Sequence, residues 1–187
     1  MTTAQIIALQ RQIGTAPDGF WGPKSAACLQ RRLRALMPTP NPWPETNAWR
    51  LQQFYGAPGD ESQLTNLVVS GMGLLYEGRP VATVRVHRKC DESLGRILRA
   101  IHASPYAGLL AHYDGCYCDR PMRNGSTPSM HARGAAIDMD ADNNGNLMHW
   151  PDSASMPLEV MEIFAREGWV SAGAFWGRDA MHFQATR

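Results

Sequence analysis

Apolar residues return at helical intervals near the N-terminus. Over residues 4–13, AQIIALQRQI, the period puts Ile6, Leu9 and Ile13 on one face, and over residues 24–37 it continues through Ala27, Leu29, Leu33 and Leu36. Two short amphipathic helices are predicted, joined by PDGFWGPKS, where Asp18-Gly19 suits a tight turn and Pro23 the first turn of the second helix. Downstream, PVATVRVH alternates Val84 and Val86 against Arg85 and His87, the pattern of a half-buried strand. A helix is expected from about Asp91 to Ala103, and MPLEVMEIFAREG reads as another, with Leu158, Met161, Ile163 and Phe164 inward and Gly168 as its stop. The chain closes on Gly turns and a final strand.

Between the helical pair and the rest, MPTPNPWPETNAW carries Pro38, Pro40, Pro42 and Pro44, which remove backbone donors and favour extended geometry. The expected organisation is therefore a helical module at 1–38, a proline-rich linker at 39–49 and a main domain at 50–187. A chain of 187 residues is long enough for such a pair.

With 18 basic and 17 acidic side chains the net charge is +1, so no global field marks a nucleic-acid or anionic-membrane binder. MTTAQIIALQRQIG lacks the basic-then-apolar form of a secretory signal, and no stretch reaches membrane-spanning length. The expectation is synthesis in the cytoplasm without a signal peptide. Cys28, Cys90, Cys116 and Cys118 are too few and scattered for a disulfide framework, which leaves mostly free thiols.

Two partial metal patterns share SMHARGAAIDMDADNNGN, residues 129–146. Read from Asp140, oxygen ligands fall at loop positions one, three and five (Asp140, Asp142, Asn144), as in a calcium loop. Position twelve is Pro151, however, where such a loop needs a bidentate carboxylate. A polar Asn-Gly turn is the favoured reading of that half. Read from Ser129, the string is S-x-H-x-x-G-x-A-x-D. If AAIDMD is a strand, Ala136, Asp138 and Asp140 face one way while Ile137 and Met139 enter the core, and Gly134 permits a close backbone approach. His131 and Asp138 then supply two ligands. A catalytic zinc site needs three and an open position, and DAMHFQ offers His182 as the third, with Asp179 three residues before it.

These residues resemble the zinc peptidases of bacterial cell walls, which include D-alanyl-D-alanine carboxypeptidases and dipeptidases and phage L-alanyl-D-glutamate endopeptidases. SMHARGAAID and DAMH match the two parts of that family's motif in order, and FYGAPG, VHRKCDESL, GCYCDRPMRNG and GWVSAGAFWGRDAMHFQ look like phage-type members. The resemblance implies an α+β fold, a small antiparallel sheet with flanking helices of the hedgehog/DD-peptidase type, preceded by a small helical domain. It implies one catalytic Zn2+ on His131, Asp138 and His182, with Asp179 as general base. Arg120 or Arg123, Arg120 preferred, would contact substrate or its oxyanion, and Ser129 would lie in the substrate site. DGFWGPKS is similar to the turn of a helical peptidoglycan-binding module, which would give Asp18, Gly19, Trp21 and Gly22 a part in wall binding; a helical cap on the catalytic domain is the alternative.

The expected activity is hydrolysis of peptidoglycan stem peptides, with the L-alanyl-D-glutamate bond preferred over the D-alanyl-D-alanine bond, and action at the wall after release from the cytoplasm, as for an endolysin. A non-catalytic wall-binding protein is the rival from another class. The expected partner is bacterial peptidoglycan, with no nucleic acid, no membrane insertion and a monomeric chain. The CxC of Cys116 and Cys118, the remaining histidines His87, His102, His112 and His149, and the aromatics Trp169, Phe175 and Trp176 are read as packing or cleft wall rather than as substrate contacts.

Overall fold

A computed structural model describes residues 1–122 and 125–187. The first helix, α1 (Thr3–Ile13), opens with a capping box in which Gln5 N–H donates to Thr2 Oγ1 at 3.3 Å and Thr2 N–H donates to Gln5 Oε1 at 2.7 Å. Gly14 closes it in the left-handed region. Ile6, Leu9 and Ile13 are buried as the period requires. Gln10 joins them: its Nε2 donates to Asp18 Oδ1, Phe20 O and Ser25 Oγ, and its Oε1 accepts from Gly19 N–H. One buried amide thus wires the DGFWG turn to both helices. In α2 (Pro23–Leu36) the inward row is Ser25, Leu29 and Leu33, spaced by four, while Ala27 is exposed and Leu36 half-buried. Ala27 lies two residues, about 200° of helix, from Ser25, and Ser25 is the residue that Gln10 draws inward.

The helical pair has no core of its own. Leu9, Ile13, Leu29 and Leu33 belong to one continuous apolar cluster with Phe164, Trp169 and Phe183. It is fastened to α6 (Leu158–Arg166) and α7 (Ala172–Phe175) by Arg32 on Glu162, by Gln12 on Glu159 at 3.0 Å, and by Gln30 on the Ala174 carbonyl at 3.1 Å. The proline-rich stretch is likewise packed down rather than free. Trp43 is buried, its indole N–H donates to the Glu167 carbonyl at 2.7 Å, and its ring meets Trp169 edge-on.

After α3 (Ala48–Tyr55), β1 (Leu64–Val68) pairs antiparallel with β4 (Thr83–His87), and a two-residue hairpin of β2 (Leu75–Tyr76) and β3 (Arg79–Pro80) lies between. Val84 and Val86 are buried and Arg85 is exposed, as alternation predicts. His87 departs from it. The ring is buried because Nε2 meets the Tyr55 carbonyl at 3.1 Å and Nδ1 accepts from Lys89 N–H. Helix α4 (Asp91–His102) buries Leu94, Ile97, Leu98 and Ile101.

The second sheet runs β5 (Tyr113–Gly115), β6 (Ala136–Met139), β8 (His182–Gln184) and β7 (Val170–Ser171) in that order, every pair antiparallel. Ile137, Met139 and Phe183 face the core, where Phe183 stacks on Phe164 with centroids 3.8 Å apart. Asp138, His182 and Gln184 share the other face, since Asp138 pairs directly with His182 and Ala136 with Gln184. Helices and small antiparallel sheets in one chain make the architecture α+β. No helix among the described residues is long and apolar enough to cross a membrane.

Candidate metal centre

Each member of the site is held by local chemistry that can be read residue by residue. Ser129 caps the short 3₁₀ turn Met130–Arg133, its hydroxyl accepting from His131 N–H at 3.3 Å. Gly134 ends that turn at φ +62°, where a Cβ would stand 2.8 Å from the His87 nitrogen of β4. Glycine is needed there both for the backbone conformation and for the approach. The chain then enters β6 and delivers Asp138 opposite His182.

His131 Nε2 lies 3.1 Å and His182 Nδ1 2.9 Å from the same Asp138 oxygen, and the two nitrogens are 3.1 Å apart. All three side chains are buried. The outer nitrogens decide what the inner ones carry. His131 Nδ1 lies 2.6 Å from the Cys116 carbonyl, which can only accept, so the ring proton sits on Nδ1. His182 Nε2 lies 3.1 Å from Gln184 Oε1, and the Gln184 amide in turn donates to Thr186 Oγ1 at 2.7 Å. Two neutral imidazoles held in this way turn bare lone pairs toward a carboxylate oxygen. Three acceptors with no hydrogen between them repel unless a cation sits among them.

The spacing suits one. Bonds of about 2.0–2.1 Å in a tetrahedron put ligand atoms about 3.3 Å apart, a few tenths of an ångström beyond the observed edges. One carboxylate and two neutral imidazoles also leave a dication with net positive charge. The electrostatics carry the same preference for a positive charge here. Burial alone would raise the Asp138 pKa, but the positive charge that the adjoining His131 and His182 rings can carry outweighs it and holds the carboxyl well below its ordinary range. Burial alone would lower that of His182, yet Asp138, Gln184 and the charge of Asp179 raise it. Among the described residues this is the one group of His, Cys, Asp and Glu whose ligand atoms converge within 4.8 Å.

Asp179 stands just before β8, half-buried, with its backbone at φ +60° and its carbonyl accepting from His182 N–H at 2.9 Å. A non-glycine residue in that region is an outlier of the kind that clusters at functional sites, and its charge is felt at His182. Arg120 lies on an irregular hairpin that leads into the motif: Cys118 N–H bonds the His131 carbonyl, Ser129 N–H the Arg120 carbonyl and Met122 N–H the Thr127 carbonyl. Its guanidinium reaches the Pro121 carbonyl at 3.4 Å. Arg123 falls outside the described residues.

The calcium reading is not supported by the geometry. Residues Ala141–Asn144 form a helical turn, α5, and Asp140 spends both carboxylate oxygens on the amides of Asn143 and Asn144. Asn144 is fully buried with its oxygen accepting from Ser155 and Met156 N–H, while Asp142 is exposed. Asp140 also turns out of the strand at φ +56° instead of continuing its face. In the N-terminal turn, Asp18 accepts from Gln10 and Phe20, Gly19 sits at φ +78°, Gly22 caps α2, and Trp21 packs edge-on against Trp150 at 5.2 Å.

One site residue escapes the sequence reading: Gln184 could have been found, because strand alternation puts it on the face of His182. Trp176, expected as cleft wall or core, stacks on His182 with centroids 5.6 Å apart and 26° between planes, and it remains 49% exposed.

Residues 123–185 match the family model described as D-alanyl-D-alanine carboxypeptidase. The match supports a metallopeptidase. It spans His131, Asp138 and His182, the group that could hold a metal ion, together with Asp179, and it supports a peptidoglycan-related substrate. No curated protein and no solved structure matches the chain.

Proposed function

We propose that the protein is a zinc peptidase that hydrolyses stem peptides of bacterial peptidoglycan, cutting between L-alanine and D-glutamate. The observation that carries the reading is the convergence of His131 Nε2, His182 Nδ1 and Asp138 Oδ1 as three bare acceptors 2.9–3.1 Å apart, with Asp179 beside them. His131, Asp138 and His182 would hold a zinc ion, which would supply Lewis acidity and a water whose pKa is lowered to about 7.

The chain's own residues do the rest. Asp179 takes the proton of the attacking water and returns it to the leaving amine. Arg120, on the hairpin that enters the motif, stabilises the oxyanion, a contribution of about 3 kcal/mol for one such donor. Cys116 and Gln184 keep the imidazoles in the tautomers the metal requires. The fold we assign is of the hedgehog/DD-peptidase type, with action at the wall as a monomer after release from the cytoplasm, as an endolysin. Phe20, 72% exposed on the turn that holds Asp18, Gly19, Trp21 and Gly22, gives the helical pair an apolar contact point for the wall.

The description of the matching family favours a second reading, removal of a terminal D-alanine by the same metal chemistry. Digesting Gram-negative peptidoglycan with and without a chelator, and weighing the fragments, separates the two. New L-alanine C-termini with D-glutamate N-termini, lost on chelation and restored by zinc, are expected. Release of D-alanine alone would move the activity to the carboxypeptidase, and no cleavage by zinc-loaded protein would sink both.

A further inference from the structure

We propose that Trp176 is a specificity-determining residue, whose exposed indole face forms the shelf for the alanyl residue on the acyl side of the scissile bond. The inference rests on the peptidase reading, and it holds for either bond, because both L-Ala–D-Glu and D-Ala–D-Ala place alanine on the acyl side.

One face of the ring is spoken for. It lies nearly parallel to His182, 5.6 Å from centroid to centroid, and so borders the metal ligands directly. The ring is nevertheless 49% exposed, in contrast to Trp169 and Trp150, which are 1% and 2% exposed in the core nearby. The backbone beneath it is fastened on both sides. Trp176 N–H donates to the Ala172 carbonyl at 2.7 Å, the Gly177 carbonyl accepts from Trp150 N–H at 3.0 Å, and Arg178 pairs in a bridge with His149. Gly177, at φ +72°, makes the sharp exit that holds the indole over the site.

A rigid aromatic plane of this kind is a preorganised wall rather than a mobile lid. Packed against it, a methyl group and the adjoining peptide gain dispersion contact, whereas a branched side chain meets the ring edge. Apolar pockets discriminate by about 10- to 200-fold per methylene.

The test uses full-length, zinc-loaded wild type, Trp176→Phe and Trp176→Ala on paired stem peptides that differ only at the acyl-side residue of each candidate bond: L-alanine or L-leucine before D-glutamate, and D-alanine or D-leucine before a terminal D-alanine. Wild type should prefer alanine. Trp176→Ala should keep its zinc stoichiometry, raise KM for the alanyl peptide about tenfold with kcat little changed, and reduce the alanine-to-leucine preference about tenfold. Trp176→Phe, which keeps a plane, should fall between and guards against a misfolded alanine variant. An unchanged preference in both variants, or loss of zinc as their sole effect, would make Trp176 a support for His182 and overturn the proposal. Wild type that cuts none of these peptides with zinc bound would instead overturn the peptidase reading, and this inference with it.

Discussion

Replacing Gln184 by leucine removes the acceptor that holds the outer nitrogen of His182. Gln184 is 4% exposed and its Oε1 lies 3.1 Å from His182 Nε2, so no solvent can take over the bond. A buried N–H left without a partner costs about 1–3 kcal/mol. Without metal, His182 can relieve part of this by moving its proton to Nδ1 and donating to Asp138 at 2.9 Å. That escape is closed once a metal requires Nδ1 bare, so the penalty falls mainly on the loaded state. Loss of an outer partner of this kind typically weakens metal binding about 10- to 100-fold, or about 1.4–2.8 kcal/mol. Competition against a chromogenic chelator measures the zinc affinity, and thermal melts in excess chelator measure the fold. The expected result is the affinity loss with a fall of only a few degrees in the chelated melt. Gln184→Glu, which keeps the acceptor and adds charge, should bind zinc at least as tightly as wild type. Affinity within twofold of wild type in a folded Gln184→Leu protein would refute the reasoning, and would mean that Asp138 and the Trp176 stack alone orient His182.

The other expectations are independent of that one. Asp179→Asn should retain zinc by elemental analysis while hydrolysis falls by about 10²–10⁴, the usual share of a general acid–base group; retained turnover would remove Asp179 from the chemistry. Trp21→Ala deletes the edge-on contact with Trp150 at 5.2 Å and should destabilise the whole chain by about 1–3 kcal/mol in a single urea transition. A second transition, with the main one unmoved, would show that the helical pair folds separately. The pKa of His87 is depressed from 6.5 chiefly by burial, against the opposing pull of the Tyr55 carbonyl. The unfolded chain therefore binds the proton more readily, and stability should decline as pH falls below about 6.5. Denaturation of chelated protein at pH 7.5 and 5.5 should show a smaller decline for His87→Gln, and equal declines would exclude His87 as the cause.

The residues that could hold a metal were legible because their signals are local or ordered along the chain. His131 and Asp138 stand seven residues apart around a glycine, and His182 sits with Asp179 in a four-residue group. Helices α1, α4 and α6 were legible for the same reason, since a helix writes its buried face into the spacing of neighbouring residues. Residues that break a pattern were misread where a distant partner decides their environment. Ser25 displaces Ala27 from the inward face of α2 because Gln10 bonds it from another helix. His87 turns inward to reach a carbonyl 32 residues away. Strand β1, a short edge strand with every residue partly or fully exposed, has no alternation to betray it.

By itself the sequence determined which side chains could bind a dication and which segments carry an apolar face, because residue type and short-range periodicity belong to the chain before it folds. The tertiary structure alone decided which lone pairs point inward, because that depends on the Cys116 carbonyl, 15 residues from His131, and on the turn before β6 and the strand β8, which bring together histidines 51 residues apart. It also decided that the calcium-like string is a hydrogen-bonded turn, that the proline-rich stretch is packed down through Trp43, and that Trp176 stacks on His182 yet stays half exposed. Each of these outcomes is settled by partners distant in the chain, and their identity is fixed only when burial makes an unsatisfied polar group or an open apolar face costly.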